Sequence, residues 1–215
     1  MKCIVTAGPT CEPLDQVRRL TNFSTGRLGI ELANFLQARG CDVTLLAARD
    51  ASWPGERRAG RVEHFVTSAD LREGLETLAG DGVNAVFHAA AVSDFKFGKI
   101  FIRSREGQLT PIKAGKISTG AGTLLAELLP APKIISGLRD WFPKARIVGW
   151  KFEVDGNRAA ALGAAAKQIS ECLTDACVAN GPAYGEGFGL VDSNGGKAHL
   201  EDSAALFEAL FRSAK

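Results

Sequence analysis

The chain has 215 residues, of which 46% are hydrophobic and 23% charged, and this composition is typical of a single globular domain over residues 1–215. Its 26 basic and 24 acidic residues give a net charge of +2, which is too small to indicate a nucleic-acid partner or a membrane surface. No apolar run reaches the roughly 18 residues of a membrane span, and strand-like sequence follows Met1 without a signal peptide, so we expect a cytoplasmic protein.

Short apolar segments alternate with helical patterns along the chain. The segments predicted as buried strands are residues 3–7, 43–47, 85–90, 147–152 and 176–179. Apolar spacing predicts one helix from Leu28 to a stop at Gly40 and a second capped by Ser68, with two more over residues 157–172 and 203–214. This order predicts a three-layer, Rossmann-like α/β fold with a mostly parallel sheet and ligand sites at the carboxyl ends of its strands.

Three stretches depart from this alternation. Residues 49–61 are rich in Arg, Gly and Pro, which predicts a solvated surface loop. Residues 95–123 show weak periodicity, so we expect a long functional or mobile loop there, followed by a short strand at 124–129. The pair Asn194-Gly195 indicates a tight turn and predicts a C-terminal antiparallel hairpin appended to the sheet.

The five cysteines include no Cys-x-x-Cys pair and no accompanying histidine cluster, so we expect reduced thiols. Cys3 and Cys177 lie in apolar strand patterns, where a free cysteine packs as a small hydrophobic side chain. A nucleophilic role for Cys11, in a loop beside the candidate site, remains an alternative.

A glycine-rich segment follows the first predicted strand and opens the first predicted helix. Gly8, Gly26 and Gly29 would let backbone approach a ligand closely, and the helix start would favour an anion such as phosphate. The alternative is that Ser24 or Thr25 caps the helix while the glycines only shape a turn. The spacing alone leaves both interpretations open.

The same segment differs from the G-x-G-x-x-G dinucleotide fingerprint, because an insertion separates Gly8 from Gly26. The only tyrosine, Tyr184, is followed four residues later by Phe188 and not by the lysine of a short-chain dehydrogenase. An NAD(P)-dependent oxidoreductase is therefore the first alternative function. A non-catalytic module that binds a nucleotide or flavin is the second.

Six segments carry a resemblance to a known family. They are VTAGPTCEPLDQVR at residues 5–18, NFSTGRLG at 22–29, HAAAVSDF at 88–95, GKI at 115–117, GWKFE at 149–153 and AN at 179–180. Together they extend over nearly the whole chain and resemble the phosphopantothenoylcysteine synthetase family, the C-terminal domain family of pantothenate-metabolism flavoproteins.

The resemblance implies a Mg²⁺-dependent ligase that joins 4'-phosphopantothenate to cysteine, with CTP or ATP as co-substrate. The carboxylate would attack the α-phosphate to give an acyl-nucleotide and pyrophosphate, and the cysteine amine would then displace the nucleotide monophosphate. The family also implies a homodimer and a phosphopantothenoylcysteine decarboxylase as a functional partner.

The resemblance assigns roles by matching position. It implies Asn22 and Lys116 as catalytic residues, Asp94 as a Mg²⁺ contact, and Thr25, Arg27 and Gly29 as contacts of the substrate phosphate. The implied nucleotide contacts are Gly8, Ser24, Gly26, Ala89, Ala90, Asp94, Lys116, Ala131, Pro132, Lys133, Ile134, Trp150 and Lys167. Departures from bacterial patterns at residues 117–119, at Lys133 and beside Lys167 leave the choice between CTP and ATP open.

Overall fold

The computed structural model describes residues 1–80, 82–112, 115–118 and 122–215. Its strands, in chain order, are β1 (Lys2–Ala7), β2 (Cys11–Pro13), β3 (Arg19–Thr21), β4 (Asp42–Ala48), β5 (Arg61–Phe65), β6 (Ala85–His88), β7 (Phe95–Arg103), β8 (Leu109–Ile112), β9 (Thr123–Pro130), β10 (Arg146–Phe152), β11 (Ala176–Asn180), β12 (Phe188–Asp192) and β13 (Lys197–Leu200). The α-helices are α1 (Arg27–Ala38), α2 (Ser68–Thr77), α3 (Leu138–Trp141), α4 (Arg158–Cys172) and α5 (Ser203–Ser213), and a 3₁₀ turn, Ile134–Gly137, precedes α3.

The main sheet of the described chain has eight strands in the order β13-β12-β11-β10-β6-β1-β4-β5. The strands from β11 to β5 run parallel, whereas β12 and β13 pair antiparallel. The chain winds from β1 outward to β4 and β5 and then returns to the other side of β1 through β6. This reversal creates a topological switch point between β1 and β6, and it confirms the predicted α/β sheet with its C-terminal hairpin.

Helices cover both faces of the sheet, which explains why its central strands are apolar throughout. On β11, Cys177 and Ala179 pack with Ala165 of α4. The alternate residue Val178 belongs to the main core, together with Leu206 of α5. Each fully buried aliphatic side chain of this kind contributes roughly 1.5–3 kcal/mol to folding. Within the described ranges, no helix is long and apolar enough to cross a bilayer.

The start of α2 differs from the prediction by one residue. Thr67, and not Ser68, is the cap, because its hydroxyl accepts from the Asp70 amide while the Asp70 carboxylate accepts from the Thr67 amide. This reciprocal capping box satisfies two amides of the first turn.

The prediction of a long loop at residues 95–123 is wrong for much of that stretch. Strand β7 pairs with β8 and β9 to form a separate three-stranded antiparallel sheet, and the predicted strand at 124–129 is part of β9. Most of β9 is exposed on both faces, so no apolar alternation marks it, and the register shifts between Phe97 and Ile100. Residues 113–114 and 119–121 of the predicted loop lie outside the described residues.

Two further strand pairings were not predicted. Strand β5 begins at Arg61, the last residue of the predicted surface loop, and it pairs with β4 at the edge of the main sheet. Residues 49–60 form the loop, where the Arg57 guanidinium donates to the carbonyls of Ala51 and Gly55 and so stabilises the loop itself. The short ribbon of β2 and β3 leads to Asn22.

Candidate functional site

A cleft of about 410 Å³ lies at the carboxyl ends of the parallel strands, beside the switch point. Its lining residues are Ser24, Thr25, Gly26, Arg27, Leu28, Gly29, Glu31, Ala89, Asn180, Phe188 and Ser203. A larger cavity of about 730 Å³ opens at the amino end of β11 and contains none of the predicted site residues. Because ligands of open α/β sheets bind at the carboxyl ends of the strands, the smaller cleft is the candidate site.

Gly8, in the loop after β1, and Gly26, which lines the cleft, bring two loops into direct contact. Both have positive φ, +90° and +80°, which disfavours any residue with a side chain. A Cβ on Gly26 would lie 3.2 Å from the Gly8 Cα, and a Cβ on Gly8 would lie 2.7 Å from the Ala48 Cβ. The two glycines therefore have a demonstrable packing role, which is compatible with either interpretation of the sequence.

The first turn of α1 begins without a side-chain cap, since Gly26 occupies the N-cap position. The Ser24 and Thr25 hydroxyls lie nearby and accept weakly from the amides of Gly26 and Arg27, at 3.4 and 3.3 Å. No acidic residue lies in this turn, and Arg27 opens it. The positive end of the helix dipole makes this end of the cleft suitable for an anionic group. The Arg27 guanidinium also donates to Glu31, which lines the same cleft, at 2.9 Å.

Asn22 lies at the end of the β2–β3 ribbon, where its side-chain amide donates to the Ala91 carbonyl at 3.0 Å. The backbone of Ala91 also bridges to the loop after β1, through the Ala91 amide to the Gly8 carbonyl and the Thr10 amide to the Ala91 carbonyl. The predicted catalytic amide is thus fixed to the loop that carries Ala89 and Ala90. Its side-chain oxygen has no partner among the described residues.

The backbone amide of Ala90 is bound by a buried pair of polar side chains, Thr6 and His88. The Thr6 hydroxyl accepts from the Ala90 amide at 3.1 Å and lies 3.0 Å from His88 Nδ1. Burial lowers the pKa of His88 to about 4, so its ring is neutral near pH 7. A neutral Nδ1 can accept the Thr6 proton, which leaves the Thr6 oxygen free to accept from Ala90.

Lys116 lies outside the residues that line the cleft. Its side chain is exposed, and the neighbouring Ile117 is buried, with its backbone hydrogen-bonded to Asp15 and Arg18 of the turn that precedes β3. The Gln16 amide donates to the Gly115 carbonyl at 2.9 Å, which joins the two segments. The lysine is therefore carried by a short segment attached to the same part of the chain as Asn22.

The predicted Mg²⁺ contact, Asp94, is exposed, and its backbone carbonyl accepts from the Ala131 amide at 2.8 Å. This bond brings Asp94 next to the predicted turn at residues 131–134, in which Pro132 and Lys133 are exposed and Ile134 is core. No group of three or more His, Cys, Asp or Glu in the described ranges could hold a metal ion. One free carboxylate fits a Mg²⁺ that arrives with substrate phosphates better than a metal held by protein alone.

Trp150 is half-buried on β10, and none of the described residues accepts a hydrogen bond from its buried indole nitrogen. Its carbonyl accepts from Gln168 of α4 at 3.2 Å, so its backbone is anchored to that helix. Lys167 on the same helix is exposed and pairs with Glu171 at 3.7 Å, an arrangement typical of a solvated helix face. Its predicted nucleotide contact remains a prediction.

The cleft also contains residues whose role was not predicted from the sequence. Asn180 ends β11, and its buried side-chain oxygen has no hydrogen-bond partner in the described part of the chain. Asn180 belongs to the segment AN at 179–180, which is part of the family resemblance. Phe188 and Ser203 come from the C-terminal hairpin and α5 and belong to no motif. A buried oxygen without a donor costs roughly 1–3 kcal/mol, so Asn180 is suited to accept from a ligand.

All five cysteines are free and buried. Burial raises the pKa of Cys3 and of Cys177 to about 12 and also raises that of Cys11, so these thiols are protonated near neutral pH. Tyr184, the residue that a short-chain dehydrogenase would need in its site, is buried and hydrogen-bonded to His199 at 2.9 Å.

Comparison with known proteins adds independent information. Residues 1–204 match the family model described as DNA/pantothenate metabolism flavoprotein C-terminal domain. The chain is 33% identical over 181 residues to the coenzyme A biosynthesis bifunctional protein CoaBC of Thermococcus kodakarensis, covering 83% of this chain and 41% of the relative. It is 31% identical over 201 residues to the CoaBC protein of Mycobacterium bovis, covering 91% and 45%. The chain thus spans less than half the length of these curated relatives.

Solved structures share the fold. The DNA/pantothenate metabolism flavoprotein from Streptococcus pneumoniae superposes with a TM-score of 0.84 at 24% identity, covering 99% of this chain and 97% of that one. A Cab2 mutant in complex with phosphopantothenate-cysteine superposes with a TM-score of 0.70 at 18% identity, covering 99% and 84%. With the family model matching 204 of 215 residues, the chain belongs to the family of DNA/pantothenate metabolism flavoprotein C-terminal domains.

Proposed function

We propose that this protein is a phosphopantothenate–cysteine ligase that forms the amide through an acyl-nucleotide in coenzyme A biosynthesis. The observation that carries the proposal is the uncapped, acid-free first turn of α1, which opens into the cleft at the switch point. Such a turn accepts a phosphate. Support comes from the family match, from relatives named for coenzyme A biosynthesis, and from the Cab2 mutant complexed with phosphopantothenate-cysteine.

The first step needs the substrate carboxylate and the α-phosphate to approach each other despite their like charges. Arg27 and the amides of Thr25 and Gly29 would hold one anionic group at the start of α1, while Lys116 would neutralise charge on the triphosphate. Gly8, Ser24 and Gly26 would approach the nucleotide through backbone and a hydroxyl. Fixing both reactants in this way supplies most of the catalysis, because the step is dominated by charge and geometry.

In the second step the amine of cysteine attacks the acyl carbon, and negative charge develops on the acyl oxygen. Asn22 is fixed by its bond to Ala91 and retains a second amide hydrogen. That hydrogen would donate to the developing oxyanion. The nucleotide monophosphate leaves with the electron pair of the broken acyl–oxygen bond, and the amine proton passes to solvent.

Asp94 would hold Mg²⁺, which would supply positive charge to the leaving pyrophosphate. The bond from the Ala131 amide to the Asp94 backbone carbonyl supports a contact between the nucleotide and the turn at residues 131–134. The nucleotide pocket would be lined by Ala89, Ala90, Ala131, Pro132 and Lys133. Trp150 and Ile134 would shape the part that holds the base, and Lys167 would lie at its edge. CTP and ATP remain the two candidate nucleotides.

Product analysis tests the proposal. Purified protein is mixed with 4'-phosphopantothenate, cysteine and Mg²⁺, with CTP and with ATP in separate reactions, and nucleotides and phosphates are quantified. The proposal requires equal amounts of amide product, pyrophosphate and nucleoside monophosphate. Formation of nucleoside diphosphate and inorganic phosphate would contradict the acyl-nucleotide route. Folded protein that binds a nucleotide without turnover would favour the non-catalytic module, and substrate-dependent NAD(P)H oxidation would favour the oxidoreductase.

We also propose that the ligase is a homodimer formed through the three-stranded sheet. Leu128 is exposed on one face of β9 and Leu125 and Leu129 on the other, with exposed fractions of 36–49%. Three strands with apolar side chains exposed on both faces are marginal without a covering surface. Light scattering after gel filtration should give twice the chain mass, and Leu128→Glu should give monomer.

The product of the proposed ligase would pass to a phosphopantothenoylcysteine decarboxylase.

A further inference from the structure

The residues on both sides of Lys116 are hydrogen-bonded to the turn at residues 14–18. The Ile117 amide donates to the Asp15 carboxylate at 3.2 Å, and the Arg18 guanidinium donates to the Ile117 carbonyl at 2.8 Å. The Gly115 carbonyl accepts from the Gln16 amide at 2.9 Å. The backbone before and after Lys116 is therefore fixed, although the Lys116 side chain itself is exposed.

Asp15 is the centre of this connection, and its side chain is fully buried at 0% exposure. One carboxylate oxygen accepts from the amides of Val17 and Arg18, at 2.9 and 2.7 Å. The other accepts from the Arg18 guanidinium and from Ile117. The Arg18 guanidinium, followed by these backbone amides, holds the pKa of Asp15 well below its usual range, so the carboxylate is ionised near neutral pH.

The same turn also leads to the other predicted catalytic residue. Residues 14–18 join β2 to β3, and β3 ends one residue before Asn22. The Leu14 and Asp15 amides both donate to the Arg18 carbonyl, which closes the turn. Asp15 thus ties the closed turn of the Asn22 ribbon to residues 115–117, about a hundred residues later in the chain.

We propose that Asp15 is a positioning residue that holds residues 115–117 so that the Lys116 ammonium is presented to the substrate phosphates. Asp15 itself contacts no substrate. The role assigned to Lys116 rests on the proposed function, whereas the attachment of residues 115–117 to Asp15 does not. A neutral amide at position 15 would lose one acceptor oxygen and the charge that pairs with Arg18, and the Ile117 amide would lose its acceptor.

Limited proteolysis tests the attachment without any assay of activity. Trypsin cleaves after lysine, and the bond between Lys116 and Ile117 lies in the fixed segment. In Asp15→Asn, cleavage at this bond should be at least 10-fold faster than in wild type, as measured by mass spectrometry at a temperature where both proteins are folded. Asp50→Asn is the matched control, because Asp50 pairs with Arg19 of the same ribbon and makes no contact with residues 115–118. Equal cleavage rates in wild type and Asp15→Asn would overturn the proposal.

If Asp15→Asn fails to fold by circular dichroism, Asp15→Glu replaces it. This variant keeps the charge but displaces the oxygen that accepts from Ile117. It should show the same faster cleavage to a smaller degree, of about 3-fold or more, and an unchanged rate would overturn the proposal in the same way.

A double-mutant cycle on pyrophosphate release tests the connection with function. Asp15→Asn alone should lower the rate about 10-fold or more, whereas in the Lys116→Ala background it should change the rate by less than 2-fold. A full 10-fold effect in both backgrounds would show that Asp15 acts independently of Lys116. If Lys116→Ala alone leaves the rate unchanged, the proposed role of Lys116 fails, and the trypsin experiment still decides the attachment.

Discussion

Gly29→Ala is expected to push α1 away from β1 and so to disturb the phosphate end of the cleft. Gly29 lies in the first turn of α1 and does not have a positive φ. A Cβ at this position would lie 2.7 Å from the Ala7 Cβ and 2.9 Å from the Thr6 carbonyl oxygen. Both neighbours belong to fully buried residues of β1, so neither can move aside easily.

The magnitude follows from two opposing effects. Overpacking of this kind costs about 1–3 kcal/mol, and the better helix propensity of alanine offsets up to about 1 kcal/mol. Because both contacts are shorter than 3.0 Å and one is to backbone, the overpacking cost falls in the upper half of that range. The net loss of about 1–2 kcal/mol corresponds to a decrease in Tm of about 2–8 °C for a chain of this length. Nucleotide binding should weaken as well, because the first-turn amides move with the helix.

Gly163→Ala is the matched control. Gly163 lies within α4, also without a positive φ, and a Cβ there would meet nothing within 4 Å. This substitution should raise stability by about 0.4–1 kcal/mol. Urea denaturation of wild type and both variants measures the difference. A Gly29→Ala variant at least as stable as wild type would refute the close approach of α1 to β1.

Three further predictions concern the site. Asn22→Asp should lower amide formation by roughly 10²–10³ while pyrophosphate release partly survives, so that acyl-nucleotide accumulates in rapid-quench experiments; equal slowing of both steps would contradict the oxyanion role. Trp150→Phe should shift the ratio of kcat/KM for CTP and ATP; a constant ratio while both values fall would assign the ring to packing alone. The pKa of about 4 for buried His88, against 6.5 in the unfolded chain, means that only the unfolded state binds the proton between these values. The free energy of unfolding should therefore decrease as the pH is lowered from about 6.5 to about 4, by at most about 1.4 kcal/mol per pH unit, and His88→Gln should remove that part of the slope in urea titrations.

The parts of the fold that were predicted correctly are those in which burial leaves a pattern in the sequence. Strands β1 and β11 are covered on both faces, so they appear as unbroken apolar runs, and α1 shows helical spacing because one face packs on the sheet. Strand β9 has no such pattern, since it is exposed on both faces. Thr67 and Ser68 are adjacent hydroxyl residues, and either could cap α2. The backbone conformation that makes Thr67 the cap leaves no pattern in the sequence.

The candidate site also has features that the sequence could predict and features that it could not. The glycine segment and the residues at strand ends were predictable because they follow recognisable elements, and the family resemblance is confirmed by the match over residues 1–204. The orphaned oxygen of Asn180 is visible only once β11 lies beside the cleft. The bond between Asp15 and Ile117 joins residues 102 positions apart, and no local pattern predicts such a contact.

The most direct test of the acyl-nucleotide route follows oxygen from the substrate carboxylate. 4'-Phosphopantothenate labelled with ¹⁸O in its carboxylate is converted with cysteine, Mg²⁺ and the preferred nucleotide, and the products are analysed by mass spectrometry. Attack on the α-phosphate predicts one ¹⁸O atom in each nucleoside monophosphate and none in pyrophosphate. Label in inorganic phosphate, or a nucleoside monophosphate without label, would contradict the account.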